Sequence, residues 1–431
     1  MADIAPFHGI LYEPGRAGAL DDLLAPPYDV ISPEERERMA AKNARAFVHI
    51  DLPRGDYEGS ARALRAWLAE GALVRDAQPA LYAVHQVFTH EGRERVRKGF
   101  VCALRLRKYD ERVVLPHERT LSGPKADRLA LARACGAHLS QVFGLYSDPD
   151  GAVEAELAAL TARPAQLEGR TPDGTLHRLW RLTDPGAHAR IAAVLAPKQV
   201  IIADGHHRYE TMLTLRDELR GSMPPGALAQ SALPASLEYG SFFLSRLEDP
   251  GLAVLPTHRA VFGLQGFDLD ALLRGAEASF ARTELPAALD AAALRARLHD
   301  AGLRGPAFVL VAGERRVLLS LRDGAEASGP APLRRLDVSV LHELLLEKLL
   351  GIGRGAQERQ EHLRYLKDPA RALEEALTGA AQAVFLLNPP DVRAMVRVAE
   401  AGEVMPQKST FFFPKLASGL VLARFAPDEP L

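Results

Sequence analysis

Short apolar runs and amphipathic stretches alternate along this chain, and their periods predict its elements. Leu81-Tyr82-Ala83-Val84 and Lys98-Gly99-Phe100-Val101-Cys102-Ala103-Leu104 flank a charged turn at His90-Glu91-Gly92-Arg93 and read as paired strands. Ser32-Pro33-Glu34-Glu35 starts a helix, with a Ser cap, proline at the first helical position and acids where the dipole favours them. A second helix runs from about Gly59 to Glu70 and stops at Gly71, and another starts at Asp184-Pro185 and ends near Pro197. Gln199-Val200-Ile201-Ile202-Ala203 reads as a buried strand, followed by a turn and a helix from His206 to Leu219.

Gly221 to Ser236, with Pro224-Pro225-Gly226, reads as a long loop, after which Tyr239 to Leu247 resumes as strand. Helices near Leu269–Ser279 and Ala291–Ala301 then alternate with strands Ala307–Ala312 and Val317–Leu321. A helix over Val338–Leu350, a strand at Ala383–Leu387 and an extended Phe411-Phe412-Phe413 follow. The pattern predicts a mixed α/β protein in three units. These are a mainly helical 1–78 carrying the proline-held loop Pro26-Pro27-Tyr28-Asp29-Val30-Ile31, a central 79–265, and an α+β 266–431.

Composition narrows the function classes. With 53 Lys and Arg against 55 Asp and Glu in 431 residues, no global basic field exists to hold nucleic acid or an anionic membrane. Two cysteines, Cys102 and Cys135, form neither a disulfide framework nor a metal cluster, and no apolar run approaches the ~20 residues that span a bilayer. The expected setting is a reducing cytoplasm, and the expected partners are small molecules. Oligomeric state is not legible in these residues.

Chemistry concentrates at Asp204-Gly205-His206-His207-Arg208, directly after an apolar strand and opening a helix. The first amides of a helix have no intrahelical acceptor, so the turn is an anion site by construction. Gly205 permits positive φ and close approach of a ligand, and Arg208 presents a fork suited to two phosphate oxygens. Asp204 suits Mg²⁺ or a proton, while His206 and His207 suit hydrogen bonding or proton transfer. Against this stands an ordinary cap with packed histidines. Adjacent histidines point about 100° apart, which disfavours a zinc helix.

Three further clusters stand out. His117-Glu118-Arg119-Thr120 with Lys125, Asp127 and Arg128 offers a base in Glu118 and cations for phosphate in Lys125 and Arg128, or is a solvated charge run. Gly402 to Thr410 nearly spells a P-loop, but Gln407 replaces its second glycine and no helix follows, which leaves Lys408 as a point charge. Pro256-Thr257-His258-Arg259 offers His258 and Arg259 to a phosphate or carboxylate, and Asp29 lines a cleft or a plain turn.

Ala203 to Glu210, with Ala25-Pro26-Pro27-Tyr28-Asp29-Val30-Ile31-Ser32, Leu115 to Thr120, Leu255 to Arg259 and Met405 to Val421, resembles the prokaryotic family named domain of unknown function one thousand and fifteen, over essentially the whole chain. The Asp204–Arg208 string is also similar to that of the ParB/sulfiredoxin superfamily, including free-serine kinases, over the middle third. Histidine stands where sulfiredoxins carry their reactive cysteine, which disfavours sulfinic-acid reduction.

The resemblance implies a ParB/sulfiredoxin-like central unit in which Asp204, Gly205, His206, His207 and Arg208 line nucleotide phosphates and an acceptor hydroxyl. The expected activity is phosphoryl transfer from ATP or ADP, with Mg²⁺ at Asp204, to a small hydroxylated metabolite, free L-serine first. Beside the resemblance, which reaches residue by residue only to the turn, the residues themselves offer Asp204, His206, His207 and Glu118 for catalysis, with the general base unassigned. Gly205, Arg208, Lys125, Arg128 and Lys408 hold phosphate, and His117, His258, Arg259 and Asp29 hold substrate. A nucleotide-dependent switch and a phosphoserine hydrolase are the alternatives.

Overall fold

The computed structural model describes residues 1–119, 123–222, 236–425 and 431. Contacts divide these into two units: Met1–Pro116, Thr120–Ala253 and Pro414–Leu431 form one, and His117–Arg119 with Val254–Phe413 form the other. The expected breaks at 78 and 265 do not appear in this division. Residues 1–78 join the first unit because Ile4–Ala5 pairs antiparallel with Ala103 and Leu104, and because Phe7 bridges Ala80 and Ile10 bridges Leu422. The last segment also returns to the first unit, where Ala423–Arg424 pairs with Ala137–His138.

The first unit is built on a nine-stranded sheet among the described residues. Its order runs Val114–Leu115, Val200–Asp204, Val142–Tyr146, Tyr239–Arg246, Arg93–Arg105, Leu81–His90, Leu176–Leu182 and Leu167–Arg170, with Ile4–Ala5 added beside Arg93–Arg105. Leu81–His90 and Arg93–Arg105 form the expected hairpin, paired from Tyr82 with Val101 to His90 with Arg93. Glu91 and Gly92, at φ 52° and 71°, make the two-residue turn whose twist matches the strands. Phe100, Cys102, Val142, Val200, Ile202 and Phe242 bury one face of this sheet against Ile191, Leu195 and Tyr209 of the covering helices. Burial of that apolar area is what holds helix to sheet.

Helix termini follow the local chemistry. Ser32 accepts the Glu35 amide while Glu35 accepts the Ser32 amide, a complete capping box ahead of helix Pro33–Lys42. Asp184 accepts the Gly186 and Ala187 amides ahead of helix Pro185–Leu195.

The second unit is a six-stranded antiparallel sheet ordered Phe280–Leu285, Arg315–Leu321, Ala307–Ala312, Ala383–Leu386, His258–Val261 and Leu363–Leu366. Helices Ala291–Gly302 and Pro369–Leu377 cover one face through Leu294, Leu298, Ala372 and Ala376. The helix expected over Val338–Leu350 is α-helical only at Asp337–Val340 and continues as a π-helix, Leu341–Glu347. The mixed α/β class holds. The loop expected over Gly221–Ser236 falls on 223–235, outside the described residues; Gly221 and Ser222 belong to helix His206–Ser222. No helix among the described residues is long and apolar enough to cross a membrane.

Candidate functional site

Strand Val200–Asp204 ends with an irregular register against Val142–Tyr146, pairing Ile202 with Gly144 and Asp204 with Phe143, and delivers Asp204 at the strand's carboxyl end. Gly205 follows at φ 91°, a conformation side chains resist, and helix His206–Ser222 starts at once. Its ladder begins where the Tyr209 amide donates to the Gly205 carbonyl at 3.0 Å, so the amides of 206–208 lead the helix outward. Tyr209 fixes the helix in place: its hydroxyl accepts the Arg107 amide (3.0 Å) and donates to the Arg107 carbonyl (2.5 Å).

Arg208 does not wait in open space. It folds back over Gly205, donates to the Gln141 carbonyl and grips Asp204 at 2.7 Å. A β-carbon on Gly205 would sit 2.8 Å from the Arg208 Nε, so the glycine serves both the turn and the fold-back. Lys415, which sequence inspection did not single out, donates to the other Asp204 oxygen. Burial pushes the Asp204 carboxyl up, but the Lys415 ammonium and the Arg208 guanidinium outweigh it and hold the group well below the ordinary carboxylate range.

The proline-held loop lies against this cluster within the first unit. Ala25 and Ser418 exchange backbone hydrogen bonds, joining that loop to the Pro414–Leu431 segment that carries Lys415. The Arg128 guanidinium stacks over the Tyr28 ring at 4.2 Å and pairs with buried Asp51 at 2.9 Å and with Asp127 at 2.6 Å. Burial and the Asp29 charge push the Tyr28 hydroxyl up to about 12, while Arg208 and Arg128 pull the other way, which puts Asp29, Tyr28, Arg128 and Arg208 in one electrostatic neighbourhood. Lys125 pairs with Glu210 on the second turn of the helix. His206 is buried and His207 half-buried.

Other sequence candidates fall in the second unit. His117 is buried, with its Nε2 2.8 Å from the Thr410 hydroxyl and its ring edge-on to Phe412. Glu118 accepts the Lys408 amide at 2.7 Å, while the Lys408 carbonyl accepts from Arg259 at 3.2 Å. Lys408 holds this bridge at φ 56° with an exposed side chain. His258 is fully buried, its Nδ1 accepting the Leu387 amide at 3.1 Å, and burial pushes its ring down to about 3. It is therefore neutral at cellular pH.

The donor set does not fit a resident Mg²⁺. Both Asp204 oxygens accept from cations, and no group of three or more His, Cys, Asp or Glu gathers among the described residues. Gly205→Ala is expected to cost about 1–2 kcal/mol through positive-φ strain and to push Arg208 off Asp204. Urea unfolding checks the first effect, and loss of whatever anion affinity the turn has checks the second.

Comparison with solved structures finds a conserved hypothetical protein from Pyrococcus furiosus at 15% identity and TM-score 0.36, covering 74% of this chain and 92% of that one. A free serine kinase in complex with AMP is similar at 16% identity and TM-score 0.35, covering 73% and 86%. SbnI from Staphylococcus aureus, in a C-terminally truncated form, is similar at 10% identity and TM-score 0.35, covering 74% and 85%. No curated protein matches the sequence. Residues 4–339 match the family described as "Protein of unknown function (DUF1015)", a span that includes the Asp204–Arg208 turn and ends before Lys415, and the chain belongs to that family.

Proposed function

We propose that the protein transfers a phosphoryl group from ATP or ADP to a small hydroxylated metabolite, free L-serine being the best-motivated acceptor. The observation that carries this reading is the turn itself. A strand-end carboxylate, a positive-φ glycine and the leading amides of a helix of 17 residues meet two cations, Arg208 and Lys415, at one point. The similarity of the Asp204–Arg208 string to that of free-serine kinases selects the reaction class.

In this reading the amides of 206–208 and the Arg208 fork hold the donor's phosphates, and Lys125 and Arg128 add positive potential. A phosphate that enters must take Arg208 from Asp204, and Lys415 then keeps that carboxylate ionised and in place. A carboxylate held so far below the ordinary range is a weak proton acceptor, which leaves that role to His206. The serine hydroxyl oxygen bonds to the terminal phosphorus, the bond from that phosphorus to its bridging oxygen breaks, and the hydroxyl proton passes to His206. Magnesium enters with the nucleotide as part of the substrate.

Purified protein incubated with Mg²⁺, serine and either ATP or ADP should form O-phosphoserine. Release of phosphate from phosphoserine alone would replace the kinase with a hydrolase. Nucleotide binding without turnover would favour a switch.

A further inference from the structure

The second unit contains a buried cation that the phosphoryl-transfer steps above do not use. Arg259 is fully buried on strand His258–Val261, next to the sheet's edge strand, and among the described residues no acid side chain is in hydrogen-bonding contact with it. Its Nε donates to the His342 Nε2 at 3.3 Å, one terminal nitrogen to the Thr257 carbonyl and the other to the Lys408 carbonyl at 3.2 Å. A guanidinium carries five N–H donors, so a hydrogen remains on each terminal nitrogen. Its face lies over the Tyr365 ring at 4.9 Å. Carbonyls, an imidazole and a ring satisfy geometry but do not neutralise charge; the Glu118 carboxylate supports the cation without a hydrogen bond to it, yet burial outweighs this and pulls the guanidinium down to about 10.

Arg259 lines a cavity of about 420 Å³ within this unit, within the range that small-molecule sites occupy. Arg335 adds a second cation at its wall, and Asn388 and Ser409 add polar groups. The remaining wall is largely apolar, including Leu336, Leu387 and Met405. Two carboxylates, Asp337 and Asp391, also line the cavity. Burial pushes Asp337 up to about 7 with no cation among the causes, and Asp391 is engaged as a helix cap, accepting the Arg393 amide at 2.9 Å with Arg397 at 3.7 Å, so neither is hydrogen-bonded to Arg259. His342 sits on the π-helix, a widened turn that recurs at functional sites.

We infer that this cavity binds a small organic oxyanion, a carboxylate or phosphate monoester with an apolar body, whose charged group pairs with Arg259. The head neutralises the buried guanidinium and the body covers the apolar wall. Such a site is separate in chemistry from the nucleotide turn and does not depend on it.

Calorimetric titration with benzoate and with phenyl phosphate tests this, benzyl alcohol being the uncharged control. At least one of the two anions should bind, and benzyl alcohol should bind at least tenfold more weakly. Binding of benzoate but not phenyl phosphate assigns a carboxylate; the reverse assigns a phosphate ester. Arg259→Met should remove binding. Because that variant removes a fully buried side chain, Ala394→Phe, which fills the cavity and keeps Arg259, is the second probe and should also remove it in protein with wild-type circular dichroism. Absence of binding by both anions, binding of benzyl alcohol equal to theirs, or affinity retained in Ala394→Phe overturns the inference.

Discussion

Arg208→Ala is expected to lower affinity for ADP at least a hundredfold and to destabilise the first unit by about 2–3 kcal/mol. The affinity loss follows from removing two charge-assisted hydrogen bonds to phosphate. The stability loss follows from the resting contacts: Arg208 is 8% exposed, bonded to Asp204 and to the Gln141 carbonyl, and its removal leaves that carbonyl without its guanidinium donor. Lys415 remains on Asp204, which keeps the cost below that of stranding a buried charge outright. Arg208→Lys retains the charge without the fork and should fall between the two. Calorimetry with ADP and urea unfolding measure the two effects. Wild-type affinity in Arg208→Ala would move the nucleotide site elsewhere.

Acid should unfold the first unit well above the pH at which carboxylates titrate. His138 and His177 are buried there, and burial pushes both rings down to about 4. In the unfolded chain each takes a proton near 6.5. Between these values the unfolded chain binds more protons than the folded one, so stability falls as pH falls, by about 1.4 kcal/mol per proton per pH unit, or about 3 kcal/mol per unit for the pair. Asp204 acts later. Its folded pKa is depressed, so its contribution is complete above the ordinary carboxylate value and is lost only as pH drops through the folded one. Trp67 and Trp180 both lie in this unit and report it by fluorescence. The urea midpoint should fall steeply from pH 6.5 to 5; a flat profile would contradict the burial of these rings.

Most local structure was legible because its causes are local. The hairpin at Glu91-Gly92, the Ser32 capping box and the strand, turn and helix around Gly205 each arise from neighbouring residues whose propensities agree with the fold. The partners of the site were not legible. Lys415 lies 211 positions from Asp204, and Asp51 lies 77 from Arg128; neither pairing leaves a periodic trace, because only the closed fold brings the segments together. The division by contacts into two units was not legible for the same reason, since Ile4–Ala5 and the last segment pair with strands far along the chain. Leu341–Glu347 reads as an ordinary amphipathic helix in sequence, where a mean period near four does not distinguish α from π winding.

The proposal that the turn is the phosphate site is tested most directly by backbone amide resonances during titration with ADP, with adenosine as the phosphate-free control. The expected result is that Gly205, His206, His207 and Arg208 show the largest shifts with ADP and little change with adenosine. Saturating ADP that leaves these four amides unmoved, while shifting others or none, would contradict it.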